Sequence, residues 1–362
     1  MIAVAVTEQS QVAEARRAAA KLADRAGLSE VDAGRLAIVA TELATNLVKH
    51  GKSGRLLAGL ADARPGGTAG AAAPAGVELI AIDKGPGMAD FGAALRDGFS
   101  TAGSAGHGLG AIRRQTHEMH VYSRPGAGTA LLARVEPGPP PGLAPPPSGH
   151  DGPTPHALPD IGAVCVPKAG EEACGDDWHA HPPPEASADG DRTLMVVDGL
   201  GHGPQAAKAA AEAVRLFKRR AGLEPAAIME ALHAGMRATR GAAVSIARFE
   251  RGRRTVVFCG IGNVAGALVS RGTGLTKRLV TYNGTVGHAL RRIQPIEAPY
   301  DDGALLILHS DGLSANWSLD AYPGLIEAHP TLIAAVLYRD FARDRDDATV
   351  LVATDAHPGE TR

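Results

Sequence analysis

Asp198, Asp311 and Asp346 each stand at one end of an apolar run, in LMVVDGLGHG (194–203), ALLILHSDGL (304–313) and RDRDDATVLV (343–352). Short apolar runs read as buried strands. Strands that deliver carboxylates to one place build a hard-metal site, because Mg²⁺ and Mn²⁺ take oxygen ligands in octahedral geometry. A fourth acidic position comes earlier, Asp176 in CGDDW (174–178). A lone Asp-Gly is ordinarily a turn. Four acidic positions in this order carry more information than that.

The first half of the chain has a different signature. Glu42 and Asn46, in TELATNLVKHG (41–51), lie four residues apart on a predicted helix and project from one face. The carboxylate can take a proton and the amide can hold a metal bound to phosphate. Alone, such a pair is an ordinary solvated helix face, so the downstream context decides. Asp83 ends the run VELIAID (77–83), and Gly85 and Gly87 follow it. That places a short acceptor where backbone can approach a flat ligand closely. GFSTAGSAGHGLGAIRR (98–114) then runs from a small-residue loop into a helix N-terminus. Free N–H groups and the helix dipole there favour phosphate. GKS (51–53) is not a P-loop, since Asn46 stands where its first glycine belongs. GHGLGA lacks the spacing of a dinucleotide fingerprint. His50 and His107 read as surface residues.

These residues need elements to hold them. Helices are predicted at 9–26, 29–50, 91–97 and 108–118, with Ser29 as N-cap and Gly51 as stop. Strands are predicted at 54–61, 77–83, 119–123 and 128–134, with a hairpin loop at 62–76. One mixed sheet covered by helices results, an α/β sandwich. Residues 136–160 are dense in Pro and Gly and read as a linker. Beyond it, strands are predicted at 161–166, 193–198, 242–249, 254–260, 264–269, 304–309 and 348–353, and helices at 204–221, 225–239 and 329–342. Hairpin-like pairs dominate, which implies antiparallel central sheets. His179 and His181 sit beside three prolines and read as loop residues.

Bulk properties bound the function. The 362 residues suffice for about two domains. A net charge of -2 and the lack of a long basic block argue against nucleic acid as the main partner. No apolar stretch reaches the roughly 18 residues of a membrane span, and the first residues do not read as a signal peptide. Three cysteines without metal-type spacing suit reduced thiols. A cytoplasmic protein is the expectation.

The N-terminal motifs, in this order, resemble the GHKL (Bergerat) ATP-binding fold. They are most similar to its short-lidded branch, the RsbT-like serine kinases and anti-sigma factors of bacterial partner switching. The likeness covers roughly 30–135. It implies that Glu42 is the general base, that Asn46 holds Mg²⁺, and that Asp83 receives the adenine amino group of ATP. It implies further that Gly85 and Gly87 line the base pocket, that Gly106, Gly108 and Gly110 shape the phosphate lid, and that Thr129 supports the adenine side. The segment before 29 is too short for the dimerising, phospho-accepting helices of a histidine kinase. The target hydroxyl is therefore expected on another protein.

The acidic series, with GIGN (260–263) and NGTVG (283–287) between its members, resembles the metal-dependent PPM (protein phosphatase 2C-like) serine/threonine phosphatases, in their SpoIIE/RsbX-like branch. An α-β-β-α sandwich is implied over roughly 161–354. By that resemblance Asp198 bridges two Mn²⁺ or Mg²⁺ ions and the Gly199 carbonyl contacts one of them. Asp311 and Asp346 complete one shell, and Asp176 acts through the other ion or its waters. Asn263 reads as a loop-stabilising residue rather than a ligand. The domains expected are 1–135, a linker at 136–160, and 161–355.

The function expected is a bifunctional partner-switching regulator. One half would bind ATP and phosphorylate a serine or threonine on a partner. The other would hydrolyse phosphoserine or phosphothreonine on a STAS-type anti-sigma antagonist or scaffold protein, upstream of a sigma factor or other regulator. The alternative keeps the phosphatase and makes the first half a nucleotide-gated binding module without kinase turnover.

Overall fold

A computed structural model describes residues 1–61, 76–89, 91, 108–140, 161–181 and 191–355. The chain divides into two compact units, Met1–His156 and Ala157–Arg362. The hairpin loop expected at 62–76 and the helix expected at 91–97 lie outside the described residues but for positions 76 and 91, as does the linker beyond 140.

The first unit contains β1 (Ile2–Ala5), α1 (Ser10–Ala26), α2 (Glu30–His50), β2 (Arg55–Ala61), β3 (Gly76–Asp83), α3 (Gly108–Gln115), β4 (Glu118–Ser123) and β5 (Thr129–Val135). Its strands form one sheet in the order β1-β2-β3-β5-β4. The mixed sheet expected from sequence is instead antiparallel at every pairing. Two helices, not one, separate β1 from β2, so the chain re-enters the sheet reversed. β4 runs in the direction of β3, but β5 inserts between them and reverses both contacts.

Capping sets the helix ends. The Ser29 side chain accepts the Asp32 amide at 3.2 Å, and Gly27 closes α1 at a left-handed φ of 65°. Both helices bury one stripe, Ala15, Ala19 and Leu22 from α1 and Leu36, Val39, Leu43 and Leu47 from α2, against Leu56, Leu79 and Leu131 of the sheet. Glu42 and Asn46 fall off that stripe and stay half-buried. At the start of α2, Arg35 pairs with Asp32 at 2.5 Å and donates to the carbonyls of Glu136 and Gly138. The Gly138 amide answers by donating to Asp32 Oδ2 at 3.1 Å.

The second unit begins with β6 (Ile161–Val166), β7 (Asp176–His181), β8 (Arg192–Gly199), α4 (Pro204–Lys218), α5 (Pro225–Gly235), β9 (Ala242–Glu250) and β10 (Thr255–Ile261). It continues with β11 (Ala265–Val269), β12 (Thr276–Leu279), β13 (Gly284–Thr285), β14 (Ala289–Leu290), β15 (Ile296–Pro299), β16 (Leu305–His309), α6 (Pro330–Phe341) and β17 (Ala348–Thr354). Two five-stranded sheets, β15-β10-β9-β8-β7 and β12-β11-β16-β17-β6, are antiparallel throughout.

The period-two alternation of strands sorts the layers. Leu194, Val196, Phe249 and Phe258 of the first sheet meet Leu268, Leu306, Leu308 and Leu351 of the second. Their neighbours Met195, Val197, Ile246 and Ile261 point the other way, onto Ala209, Ala213 and Phe217 of α4 and Ile228 and Leu232 of α5. Helix α6 packs on β6 and β17, across the outer face of the second sheet. The result is an α-β-β-α sandwich. His179 and His181, expected in a loop, lie instead in edge strand β7. His179 packs edge-on against Phe217 at 5.8 Å, and burial first, then the charges of Lys218 and His181, push it down to about 4. It is a neutral packing residue.

Candidate functional site

In the first unit, α2 presents Glu42 and Asn46 toward the N-terminus of α3. A Cβ on Gly108 would lie 3.1 Å from Glu42 Oε2 and 3.3 Å from Asn46 Oδ1. That helix start approaches both side chains because its first residue has none. Gly110 is buried two residues into the same helix. Asp83, at the end of β3, is 8% exposed and accepts the Gly85 amide at 2.6 Å. Its strand partner is Thr129. Thr129 Oγ1 bonds Ser123 Oγ at 2.8 Å, and Ser123 Oγ accepts the Met88 amide at 2.8 Å. Gly87 turns this segment at a left-handed φ of 67°, against the Arg124 carbonyl. Ser123 connects Thr129 to the backbone beyond Gly87, although no sequence motif marks it. Gly106 and His107 lie outside the described residues.

A carboxylate and an amide meeting a helix N-terminus, with a buried carboxylate at a neighbouring strand end, suit a phosphate-bearing ligand that carries an exocyclic amine. The donor set fits an adenine nucleotide and one hard cation.

In the second unit the aspartates arrive from two sheets. Asp176 opens β7 opposite Asp198, their Cα positions being paired in the β7–β8 register. Gly199 follows, its amide bonded to the Gly175 carbonyl at 2.9 Å. In the other sheet β16 and β17 are antiparallel neighbours. Asp311, just after β16, and Asp346, just before β17, therefore occupy the same end. Ser310 links the two sheets. Its Oγ donates to Asp176 Oδ2 at 2.5 Å and accepts the Thr349 amide at 2.9 Å.

Four further residues shape this end. Asp347 accepts the Lys168 amide at 2.8 Å on Oδ1 and the Gly175 amide at 2.9 Å on Oδ2. It thereby holds the loop that leads into Asp176. Asn263 donates to Asp311 Oδ2, so its loop role extends to aiming a carboxylate. Cys165 and Cys174 are free thiols with sulfurs 3.6 Å apart beside the Asp176 carbonyl. Motif order could have flagged Asn263 and Asp347, since both sit inside quoted motifs. Ser310 carries no signal beyond its place in HSDGL.

The charges do not balance within the protein. Burial, then the negative charges of Asp311, Asp346 and Asp347, push Asp198 up to about 8. Asp311 is raised by burial and by Asp346, against the Asn263 hydrogen bond and the Arg343 charge. Asp176 is raised well above the usual carboxylate range by burial and then by Asp198. Crowded carboxylates of this kind call for cations. Among the described residues, no three of these aspartates bring one oxygen each within 4.8 Å of one another. The array is too spread for a closed single-ion cage. An all-carboxylate set spread over two strand pairs fits hard divalent ions that retain water ligands.

Each half of the chain matches a known family. The family described as histidine kinase-like ATPase domain matches residues 5–135, and the family described as stage II sporulation protein E (SpoIIE) matches residues 188–354. The serine/threonine-protein kinase RsbT of Bacillus subtilis (strain 168) is 30% identical over 130 residues, 36% of this chain and 92% of that protein. Among solved structures, a chain of the bacterial stressosome is 26% identical with a TM-score of 0.48, covering 54% of this chain and 98% of that one. The PP2C phosphatase domain of SpoIIE from Bacillus subtilis, with a fragment of its regulatory domain, is 15% identical with a TM-score of 0.45, covering 78% and 80%. RsbX in complex with magnesium is 24% identical with a TM-score of 0.43, covering 53% and 92%. No helix among the described residues is long and apolar enough to cross a membrane. Through residues 5–135 the chain belongs to the RsbT-like branch of the histidine kinase-like ATPases, and it joins that domain to a SpoIIE-type phosphatase domain on one polypeptide.

Proposed function

We propose that this chain is a bifunctional regulator of a cytoplasmic partner switch, with domains at 1–135 and 161–355 joined by a linker at 136–160. The C-terminal domain hydrolyses phosphoserine or phosphothreonine on a STAS-type anti-sigma antagonist or scaffold protein. The N-terminal domain binds ATP and phosphorylates a serine or threonine on such a partner. The observation that carries the reading is the Ser310–Asp176 hydrogen bond, 2.5 Å long. It joins the strand end bearing Asp311 to the pair Asp176 and Asp198.

Asp198, Asp311, Asp346, Asp176 and the Gly199 carbonyl would hold two Mn²⁺ or Mg²⁺ ions. When bound, these supply Lewis-acid polarisation of a phosphoryl group and acidify a water. The protein's own share is positional. Ser310 and Asn263 each fix one carboxylate, Asp347 fixes the loop ahead of Asp176, and burial keeps the array in a low-dielectric setting. No protein nucleophile is required, so the cysteines take no part in bond making.

In the N-terminal domain Asp83 would accept the adenine amine and Asn46 would hold the cation on the phosphates. Gly85, Gly87, Gly106, Gly108 and Gly110 would leave room for backbone to approach the nucleotide, and Thr129 would steady Asp83 across the strand pair. Glu42 would take the proton of the attacking hydroxyl.

Purified protein incubated with a serine-phosphorylated STAS domain should release inorganic phosphate only with Mn²⁺ or Mg²⁺ present. Release that persists after chelation would refute the metal reading. With unphosphorylated partner and labelled ATP, Glu42→Ala should abolish transfer while partner binding persists. If the wild-type chain binds ATP and partner yet transfers no phosphate, the N-terminal domain is a nucleotide-gated binding module.

A further inference from the structure

The turn that follows Asp198 borders a groove with no role in the chemistry above. Its volume is about 560 Å³. Gln205, Lys208 and Glu212 line it from α4, and Gly235, Thr239 and Arg240 line it from the end of α5 and the segment beyond. Two contacts tie the groove to the aspartate cluster. The Leu200 amide, two residues past Asp198, donates to the Gly241 carbonyl at 3.1 Å. A Cβ on Gly201 would lie 3.2 Å from an Arg240 guanidinium nitrogen. The guanidinium thus covers the turn leaving Asp198, at a glycine with a left-handed φ of 86°.

The charge of the groove is lopsided. Glu212 is its one acidic lining residue, and Arg215 already holds both of its oxygens at 2.5 and 2.7 Å. Lys208 and Arg240 are exposed, and neither has an ion-pair partner among the described residues. Two uncompensated cations therefore line a groove beside the turn that leaves Asp198. A phosphoserine lying over the aspartate cluster would carry its neighbouring residues past this turn. Carboxylates in those neighbours would gain two cations that the fold leaves unpaired. Leu200, 45% exposed between the two glycines, adds an apolar contact at the same edge.

We propose that this groove docks the acidic flank of the phosphorylated segment of the protein substrate, with Arg240 as the specificity-determining residue and Lys208 in support. The proposal rests on the phosphatase reading and adds the substrate class that this site prefers. A phosphoserine flanked by Asp or Glu is selected over one flanked by neutral or basic residues.

The test uses the full chain with Mn²⁺ and three substrates: an acid-flanked phosphoserine peptide, a Lys-flanked one, and p-nitrophenyl phosphate, which has no flank. Wild type should favour the acid-flanked peptide by about tenfold in kcat/KM at low salt, and the preference should shrink as salt screens it. Arg240→Ala should raise KM for that peptide, with a loss several times larger than its loss on p-nitrophenyl phosphate. Lys208→Glu, at an exposed helix position, should narrow the preference independently and so guards against a misfolded Arg240 variant. Equal use of both peptides by wild type would overturn the proposal, as would an Arg240→Ala loss that is equal on all three substrates. Absent turnover on all three would instead remove the phosphatase reading. Fluorescence anisotropy with the labelled acid-flanked peptide then reads the groove by itself: binding lost in Arg240→Ala upholds docking, and no binding ends it.

Discussion

Asp347 holds the loop ahead of Asp176 with both of its oxygens, through amides 179 and 172 residues away in the chain. Removing it should loosen the site without removing a ligand. Asp347→Ala leaves two amides without their acceptor, a loss of about 1–3 kcal/mol in unfolding free energy. Chemical denaturation checks this, and a midpoint equal to wild type would contradict it. Ser310→Ala should act on Asp176 more directly. Half-maximal phosphatase activity should need about tenfold more Mn²⁺, as expected when a residue that orients a ligand is lost. An unchanged metal titration would remove Ser310 from the site. The Asp176 partner of Ser310 and both partners of Asp347 lie 134 or more residues away, so no local pattern joins either residue to the loop or carboxylate it holds. Asp198, Asp311 and Asp346 stood out as candidates because each lies at one end of a run apolar enough to be a strand, whereas Asp176 drew notice only from its place in the acidic series.

At the scale of elements, α2 does two jobs, presenting Glu42 and Asn46 on one face and anchoring the exit from β5 at its first turn. Burial acts to raise the Asp32 carboxyl, but hydrogen bonds from Arg35, the Gly138 amide and Ser29 hold it below its usual value of 3.8. A carboxyl held low in the folded state adds stability above the unfolded value and loses it as pH falls further. The N-terminal domain should therefore lose stability as pH drops below about 3.8, and Asp32→Asn should flatten that dependence while lowering stability at neutral pH. Denaturation midpoints across pH 2–7, followed on the domain's own signal, measure both effects. A wild-type slope retained in the variant would contradict the assignment. Helices with caps and apolar stripes were readable from sequence, α2 from Ser29 to Gly51 above all. Strand β7 was not, since DDWHAH pairs on one side only and lacks the β-branched residues of a central strand. Sheet direction was also hidden. The antiparallel order of the first unit depends on β5 entering between β3 and β4, which no local pattern records.

For the whole molecule, the proposed function puts two sites of opposite effect on phosphate in separate units of one chain. Their activities should be separable by mutation. Glu42→Ala should abolish phosphate transfer from ATP and leave Mn²⁺-dependent phosphate release at the wild-type rate. Asp198→Asn should do the reverse. Loss of both activities in either variant would contradict independent sites. The most direct measurement of the central claim is the initial rate of phosphate release from a serine-phosphorylated STAS protein, compared between wild type and Asp198→Asn at saturating Mn²⁺. The rate should fall by about a hundredfold or more in the variant. A variant rate within a few-fold of wild type would place the phosphatase centre somewhere other than these aspartates.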